Sequence, residues 1–164
     1  MPQPNIYIGK ARPDEDSLLT ALIRDSFRDI ALRFGLTPIN CPKHPSNCRN
    51  HWIQKDFARG VTYYILRVNG KPTGCVALEK ADVNTSYLER LAVLPEHRRQ
   101  GFGKLLVHHV LTEAKKIGTK KISIGIIAEQ TELKAWYDKM GFKEGETKAF
   151  NHLPFLVTFM AYRL

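Results

Sequence analysis

The amino-acid sequence predicts one mixed α/β domain over residues 1–164. Three observations carry this expectation. The 164 residues match the length of about one typical domain. Hydrophobic residues make up 43% and charged residues 25%, which suits a soluble chain with a packed core and excludes disordered, collagen-like and simple coiled-coil classes. Apolar periodicity switches between two and 3.6 residues in the order β-α-α-β-β-β-α-β-α-β-β, without internal repeat, low-complexity tract or linker.

Ile6 to Ile8 form a short strand candidate, and Pro13-Asp14-Glu15-Asp16 has the acidic composition of a helix start. From there Leu18, Leu19, Leu22, Ile23, Phe27, Ile30, Ala31 and Phe34 recur at helical spacing up to Gly35, predicting an amphipathic helix. A polar, Pro-rich loop follows, Thr37 to Ser46, where Ser46 is expected to cap a second short helix carrying Trp52, Ile53 and Phe57 and ending near Gly60. Val61 to Val68 and Thr73 to Leu78 are strand-like and are joined by Asn69-Gly70, the strongest short hairpin signal. Tyr87 to Val93 reads as a strand, Leu94 to Gln100 as a loop, and Phe102 to Ile117 as a helix with Gly118 beyond its end. Ile122 to Ile127 is an apolar strand, and Thr131 to Met140 a helix stopped by Gly141. Phe142 to Phe150 and Phe155 to Tyr162 complete the set of strands.

Twenty-five Lys and Arg against sixteen Asp and Glu leave a net charge of +9, so an anionic partner is expected. Nucleic acid, a phosphorylated cofactor and an acidic surface all satisfy that demand. Three cysteines, Cys41, Cys48 and Cys75, are too few and odd in number for a secreted disulfide framework, and a cytoplasmic location is expected. The start, Met1-Pro2-Gln3-Pro4-Asn5, carries no export-signal pattern. The longest apolar run, Leu153 to Met160, is broken by Pro154 and Thr158, so neither membrane span nor membrane partner is expected.

Chemistry concentrates at Arg98-Arg99-Gln100-Gly101-Phe102-Gly103-Lys104, where a strand passes through a basic, glycine-bearing loop into a helix. Glycine lets an anion approach the backbone, and the free amides and dipole of a first helical turn favour negative charge. The glycines are too close for a phosphate-binding Walker loop, and a dinucleotide fingerprint lacks its third glycine. On spacing alone a basic surface loop with a capping glycine remains the alternative.

The segment Leu91-Ala92-Val93-Leu94-Pro95-Glu96-His97-Arg98-Arg99-Gln100-Gly101-Phe102-Gly103 resembles the strand and acetyl-CoA loop of the GNAT superfamily of N-acetyltransferases. Downstream, Ala135-Trp136-Tyr137-Asp138-Lys139-Met140-Gly141-Phe142 is similar to that family's second signature, a tyrosine helix before a Gly-Phe turn. The resemblance implies a mixed central sheet whose middle strands, Tyr87 to Val93 and Ile122 to Ile127, splay apart and are flanked by helices. It also implies acetyl-CoA as co-substrate. The backbone of Leu91, Ala92 and Val93 would pair with the pantetheine arm, and Arg99, Gln100, Gly101, Phe102, Gly103 and Lys104 would hold the pyrophosphate. Gln130 stands where the family often has Asn, and keeps a carboxamide within possible reach of the cofactor.

By the same resemblance Tyr137 donates a proton to the departing thiolate, a role its phenol suits; the alternative is an amphipathic core tyrosine. For the neighbouring Trp136, packing is favoured over lining the cofactor site. Glu89 is expected on the strand face shared with Tyr87, Leu91 and Val93, as a carboxylate that takes the acceptor's proton or pairs with a neighbouring cation. In Phe150-Asn151-His152-Leu153-Pro154-Phe155 the polar pair sits between large apolar residues, so a semi-buried loop is expected. The resemblance would place this connection over the acceptor end of the cofactor, where His152 would take the amine's proton or hold an acceptor carboxylate; the alternative is a histidine simply bonded to backbone.

Cys41-x-x-His44-x-x-x-Cys48-x-x-His51 holds four possible zinc ligands, but Pro42 and Pro45 stiffen the loop between them, and no metal is expected. The aromatic residues fit core periodicity rather than a basic-aromatic stripe, which argues against a nucleic-acid-binding module. The expected activity is transfer of an acetyl group from acetyl-CoA to the primary amine of a small molecule or peptide by direct attack on the thioester. The alternative within the resemblance is a catalytically silent acyl-CoA sensor.

Overall fold

The computed structural model describes residues 3–164; Met1 and Pro2, part of the chain start read for an export signal, lie outside them. Seven strands and four α-helices follow the predicted order: β1 (Ile6–Lys10), α1 (Asp16–Phe34), α2 (Asn50–Ala58), β2 (Thr62–Val68), β3 (Lys71–Lys80), β4 (Thr85–Val93), α3 (Phe102–Lys116), β5 (Lys121–Ile127), α4 (Thr131–Lys139), β6 (Lys143–Ala149) and β7 (Leu156–Arg163). They build one sheet in the order β1-β2-β3-β4-β5-β7-β6, antiparallel except between β4 and β5. The β2–β3 turn has Asn69 at φ 51° and Gly70 at φ 81°, the left-handed pair that such a hairpin requires.

Alternation along the strands sorts the apolar side chains into two layers. On one face Tyr63, Ile65, Cys75 and Ala77 pack against Leu19, Leu22 and Ile23 of α1 and Ile53 of α2. On the other, Leu66, Val76, Leu88, Ile122 and Ile124 pack against Leu106, Val107 and Val110 of α3 and Tyr137 of α4. The sheet is therefore an apolar slab with a helical layer on each side, the arrangement expected of a strand order containing one right-sized βαβ crossover. Ser46 does not cap α2. It lies in a 3-10 turn, Pro45–Asn47, with its hydroxyl 2.7 Å from Nδ1 of His44, and α2 starts at Asn50 without a side-chain cap.

One irregularity shapes everything downstream. Cys75 pairs with Ala92 and Ala77 pairs with Glu89, so β4 advances three residues while β3 advances two. The extra residue produces a bulge, where Arg90 takes a left-handed φ of 51°. Beyond it the facing of β4 is inverted. Leu88 and Leu91 both join the α3 layer, although they stand an odd three positions apart. Glu89 therefore shares its face with Ala92 and not with Leu91 and Val93, contrary to the unbroken alternation assumed from sequence. The pairing of β4 with β5 stops just short of the bulge. Only Thr85, Ser86 and Tyr87 pair, with Lys121, Ile122 and Ser123, and from there the strands diverge.

Candidate active site

A cleft of about 440 Å³ opens where β4 and β5 part. Its floor is Leu91, Ala92 and Val93, the strand end beyond the bulge. One wall is the loop leading into α3, with Arg99, Gly101, Phe102, Gly103 and Lys104, and the others come from α1 through Phe27 and Ile30 and from α4 through Leu133 and Trp136. Gln130 lines the cleft as well; it occupies the N-cap position of α4 without using its side chain as a cap, which leaves its carboxamide free.

The loop is built to receive an anion. Arg99 at φ 63° and Gly101 at φ 84° place alternate residues in the left-handed region, which turns successive amides toward one side. Among the described residues no backbone acceptor pairs with the amides of residues 99–104. Neither Arg99 nor Lys104 has an ion-pair partner there. Gly103 answers to a different neighbour than expected: an added Cβ would stand 3.2 Å from the Trp136 indole. Trp136 therefore packs on the loop and lines the cleft together, and the choice between those roles dissolves.

Arg98, the other cation of the loop, is already engaged. Its guanidinium donates to Asp29 at 2.6 and 3.2 Å and to the carbonyl of Ser26, and its Nε donates to the Val93 carbonyl at 3.2 Å. It thus staples α1 to the end of β4, and the neighbouring Asp29 carboxyl is held low by the Arg98 hydrogen bond. Arg33 of α1 pairs with Glu132 of α4, so two ion pairs brace the helices on either side of the opening.

Tyr137 projects from α4 into the α3 layer, 4% exposed, with its ring edge-to-face on Trp136 (4.9 Å) and Phe142 (5.1 Å). Burial pushes its phenol well above the usual range, so it stays protonated throughout the physiological span. Glu89 lies on the α2 side. Its carboxyl is pushed up to about 7, first by burial and then by the carboxylate of Glu79, which hydrogen-bonds to it. Glu79 is held low by a bidentate contact from Arg59 at 2.9 and 3.2 Å, so the two carboxyls differ in acidity.

The Acetyltransferase (GNAT) family model matches residues 23–142, well over half of the chain. This chain belongs to the GNAT acetyltransferase family. A curated relative, the [ribosomal protein bS18]-alanine N-acetyltransferase of Escherichia coli K12, is 30% identical over 107 residues, covering 63% of this chain and 71% of the relative. The solved structure of the E. coli ribosomal-protein-S18-alanine N-acetyltransferase superposes with a TM-score of 0.77 at 16% identity, over 97% of this chain and 94% of that one. The PaiA N-acetyltransferase of Thermoplasma acidophilum, solved in complex with coenzyme A, gives a TM-score of 0.75 at 18% identity over 98% of this chain and 99% of that one. A GNAT family acetyltransferase of Elizabethkingia anophelis with acetyl-CoA bound gives 0.68 at 19% identity, over 99% of this chain and 100% of that one. These likenesses establish the GNAT fold.

Within this GNAT fold the expectation for the loop before β7 is displaced. Asn151 and His152 are exposed, not semi-buried, because Leu153 and Phe155 take the contacts of that loop, packing beside Ala31, Leu36, Cys41 and Ile127. His152 touches Phe150 and does not line the cleft. The four Cys and His residues are also dispersed. Cys41 and Cys48 are free thiols buried in different core clusters, His44 bonds to Ser46, and His51 is exposed. Among the described residues no group of three His, Cys, Asp or Glu could hold a metal ion. No helix there is long and apolar enough to cross a membrane. What the sequence reading missed was the α1 wall: Phe27 and Ile30 carry the same apolar signal as residues facing the sheet, so periodicity alone assigns them to the core.

Proposed function

We propose that this GNAT protein is an acetyl-CoA-dependent N-acetyltransferase that acetylates a primary amine of a small molecule or peptide. The observation that carries the reading is the conjunction of parted strands with an unpaired, cationic amide loop at the mouth of the same cleft. A linear molecule with an anionic head and an amide-bearing arm fits both parts. The amides of residues 99–104, with Arg99 and Lys104, would hold the phosphates, while the backbone edge of Leu91, Ala92 and Val93 and the carboxamide of Gln130 would hold the arm. Phe27, Ile30 and Trp136 keep water from it.

Acetyl-CoA supplies the acetyl thioester and its thiol leaving group when bound. Glu89 would take a proton from the incoming ammonium at its carboxylate, directly or through water, since a carboxyl pushed to about 7 is a base near neutral pH. A backbone N–H of Leu91 or Ala92 would stabilise charge at the acetyl oxygen. Tyr137 would return a proton from its hydroxyl to the thiolate, because its raised phenol is available as a donor at every working pH. None of Glu89, Tyr137 and His152 is part of the cleft lining; Glu89 and Tyr137 adjoin it through Leu91 and Trp136, whereas His152 is exposed beside Phe150 and stands behind Glu89 as base. Neither metal nor nucleic acid enters the proposal, the chain is read as one domain, and the three free cysteines suit a cytoplasmic site of action.

The test is thiol release from acetyl-CoA across a panel of amines, led by a peptide with N-terminal alanine, the acceptor in the name of the curated relative. Thermal unfolding with CoA runs beside it. CoA at about 100 times its Kd should stabilise the fold by ~2.7 kcal/mol. Stabilisation without thiol release on any amine would favour the acyl-CoA sensor, and no stabilisation would remove the cofactor reading altogether.

A further inference from the structure

Among the described residues three non-glycine positions have positive φ: Asn69, Arg90 and Arg99. Asn69 belongs to a turn that favours it, whereas Arg90 is a long side chain held in a strained conformation within a strand. Such strain persists only where surrounding structure fixes it. Around Arg90 that structure is a buried polar network reaching three elements. Its Nη1 donates to Oδ2 of Asp56 at 2.7 Å and to the Tyr63 hydroxyl at 2.7 Å, and the Tyr63 hydroxyl donates to the same Asp56 oxygen at 2.5 Å. Arg59 donates to the other Asp56 oxygen at 2.5 Å. The guanidinium also lies 5.7 Å from the centre of the Trp52 ring. Asp56 is 3% exposed and Tyr63 is fully buried. The carboxylate thus accepts from three side-chain donors, and the network ties α2 and β2 to the residue at the β4 bulge.

We propose that Asp56 and Arg90 are positioning residues for the cofactor cleft: their buried ion pair pins residue 90 in its left-handed conformation and thereby keeps β4 parted from β5. The cleft's shape is then set from the opposite face of the sheet, by α2. This inference rests on the reading of the cleft as a CoA site.

The experiment measures CoA affinity by calorimetry, and melting temperature, for the wild type, Asp56→Asn, Arg90→Gly and the double variant. Asp56→Asn should weaken CoA binding by about tenfold, because an unpinned arginine relaxes out of the left-handed region. Arg90→Gly should bind within about threefold of wild type, since glycine holds positive φ without help. Adding Arg90→Gly to Asp56→Asn should restore affinity to that level even though all three variants melt lower. A network that only supports the fold would give the opposite sign, with the double variant binding no better than Asp56→Asn. That result, or unchanged affinity in Asp56→Asn, overturns the positioning role. Should Asp56→Asn not fold, Tyr63→Phe removes one arm without stranding a charge, and the same rescue by Arg90→Gly is required. A wild type that binds no CoA would overturn the cofactor reading itself, a failure distinct from wild-type binding that Asp56→Asn leaves intact.

Discussion

Tyr137 and Glu89 lie on opposite faces of the sheet, and their environments push both upward for one dominant reason, burial. For the tyrosine this preserves a donor. Tyr137→Phe keeps the ring contacts with Trp136 and Phe142 and removes only the hydroxyl, so CoA affinity should change less than about twofold while turnover falls on the order of a hundredfold. Pre-steady-state kinetics with an identified acceptor would check it, and unchanged turnover where chemistry limits the rate would take Tyr137 out of the mechanism. For Glu89 the consequence depends on pH. A carboxyl at about 7 in the fold and near 4.5 when unfolded contributes stability that is complete below 4.5 and is lost as pH rises through about 7. Glu89→Gln should therefore gain in melting temperature over the wild type between pH 5 and 7.5, with little further gain above. If Glu89 is the base, wild-type kcat/KM rises through about pH 7 and the variant's does not.

At the scale of elements the loop into α3 and the strand before it are coupled through Arg98, which joins α1, Asp29 and the Val93 carbonyl. Arg98→Met keeps much of the aliphatic bulk and loses every one of those bonds. It should cost about 1–3 kcal/mol of stability and weaken CoA binding severalfold through misplacement of the loop, measured by denaturant unfolding and calorimetry. Gly101→Ala tests the loop's own geometry. Its φ of 84° is strained for alanine although nothing crowds the added carbon, so about 1 kcal/mol should be lost. Much of this element was readable in advance: Gly101 and Gly103, three cations and a helix start lie within seven residues. The face on which Glu89 stands was not readable. A bulge marked by glycine or asparagine leaves a trace in sequence, but here an arginine occupies the left-handed position, and the network that holds it joins residues 56, 63 and 90, far apart along the chain. The exposure of His152 was hidden for a related reason, since Leu153 and Phe155 find their core contacts in α1 and its following loop.

Across the whole molecule the sheet is continuous in its first strands and parted in its middle, with β1 to β4 on one side of the gap and β5 to β7 on the other. An open seven-stranded sheet has two edges; this one has, over part of its length, two more that face each other inside the protein. Backbone groups of β4 beyond Tyr87 and of β5 beyond Ser123 that point into the gap have no strand to pair with. Amides among these groups lack a ladder partner, so they are expected to trade hydrogen for deuterium quickly although they lie in strands flanked by helices. The neighbouring Tyr63 to Leu66 stretch, paired on both sides, should exchange slowly. Saturation with CoA should slow exchange at residues 91–93 and 99–104 while leaving Tyr63 to Leu66 as it was, which mass spectrometry of peptic fragments resolves. On the proposed function the ligand would serve as the missing strand of an interrupted ladder, and isotope exchange along that interruption would report occupancy without any need to know the amine.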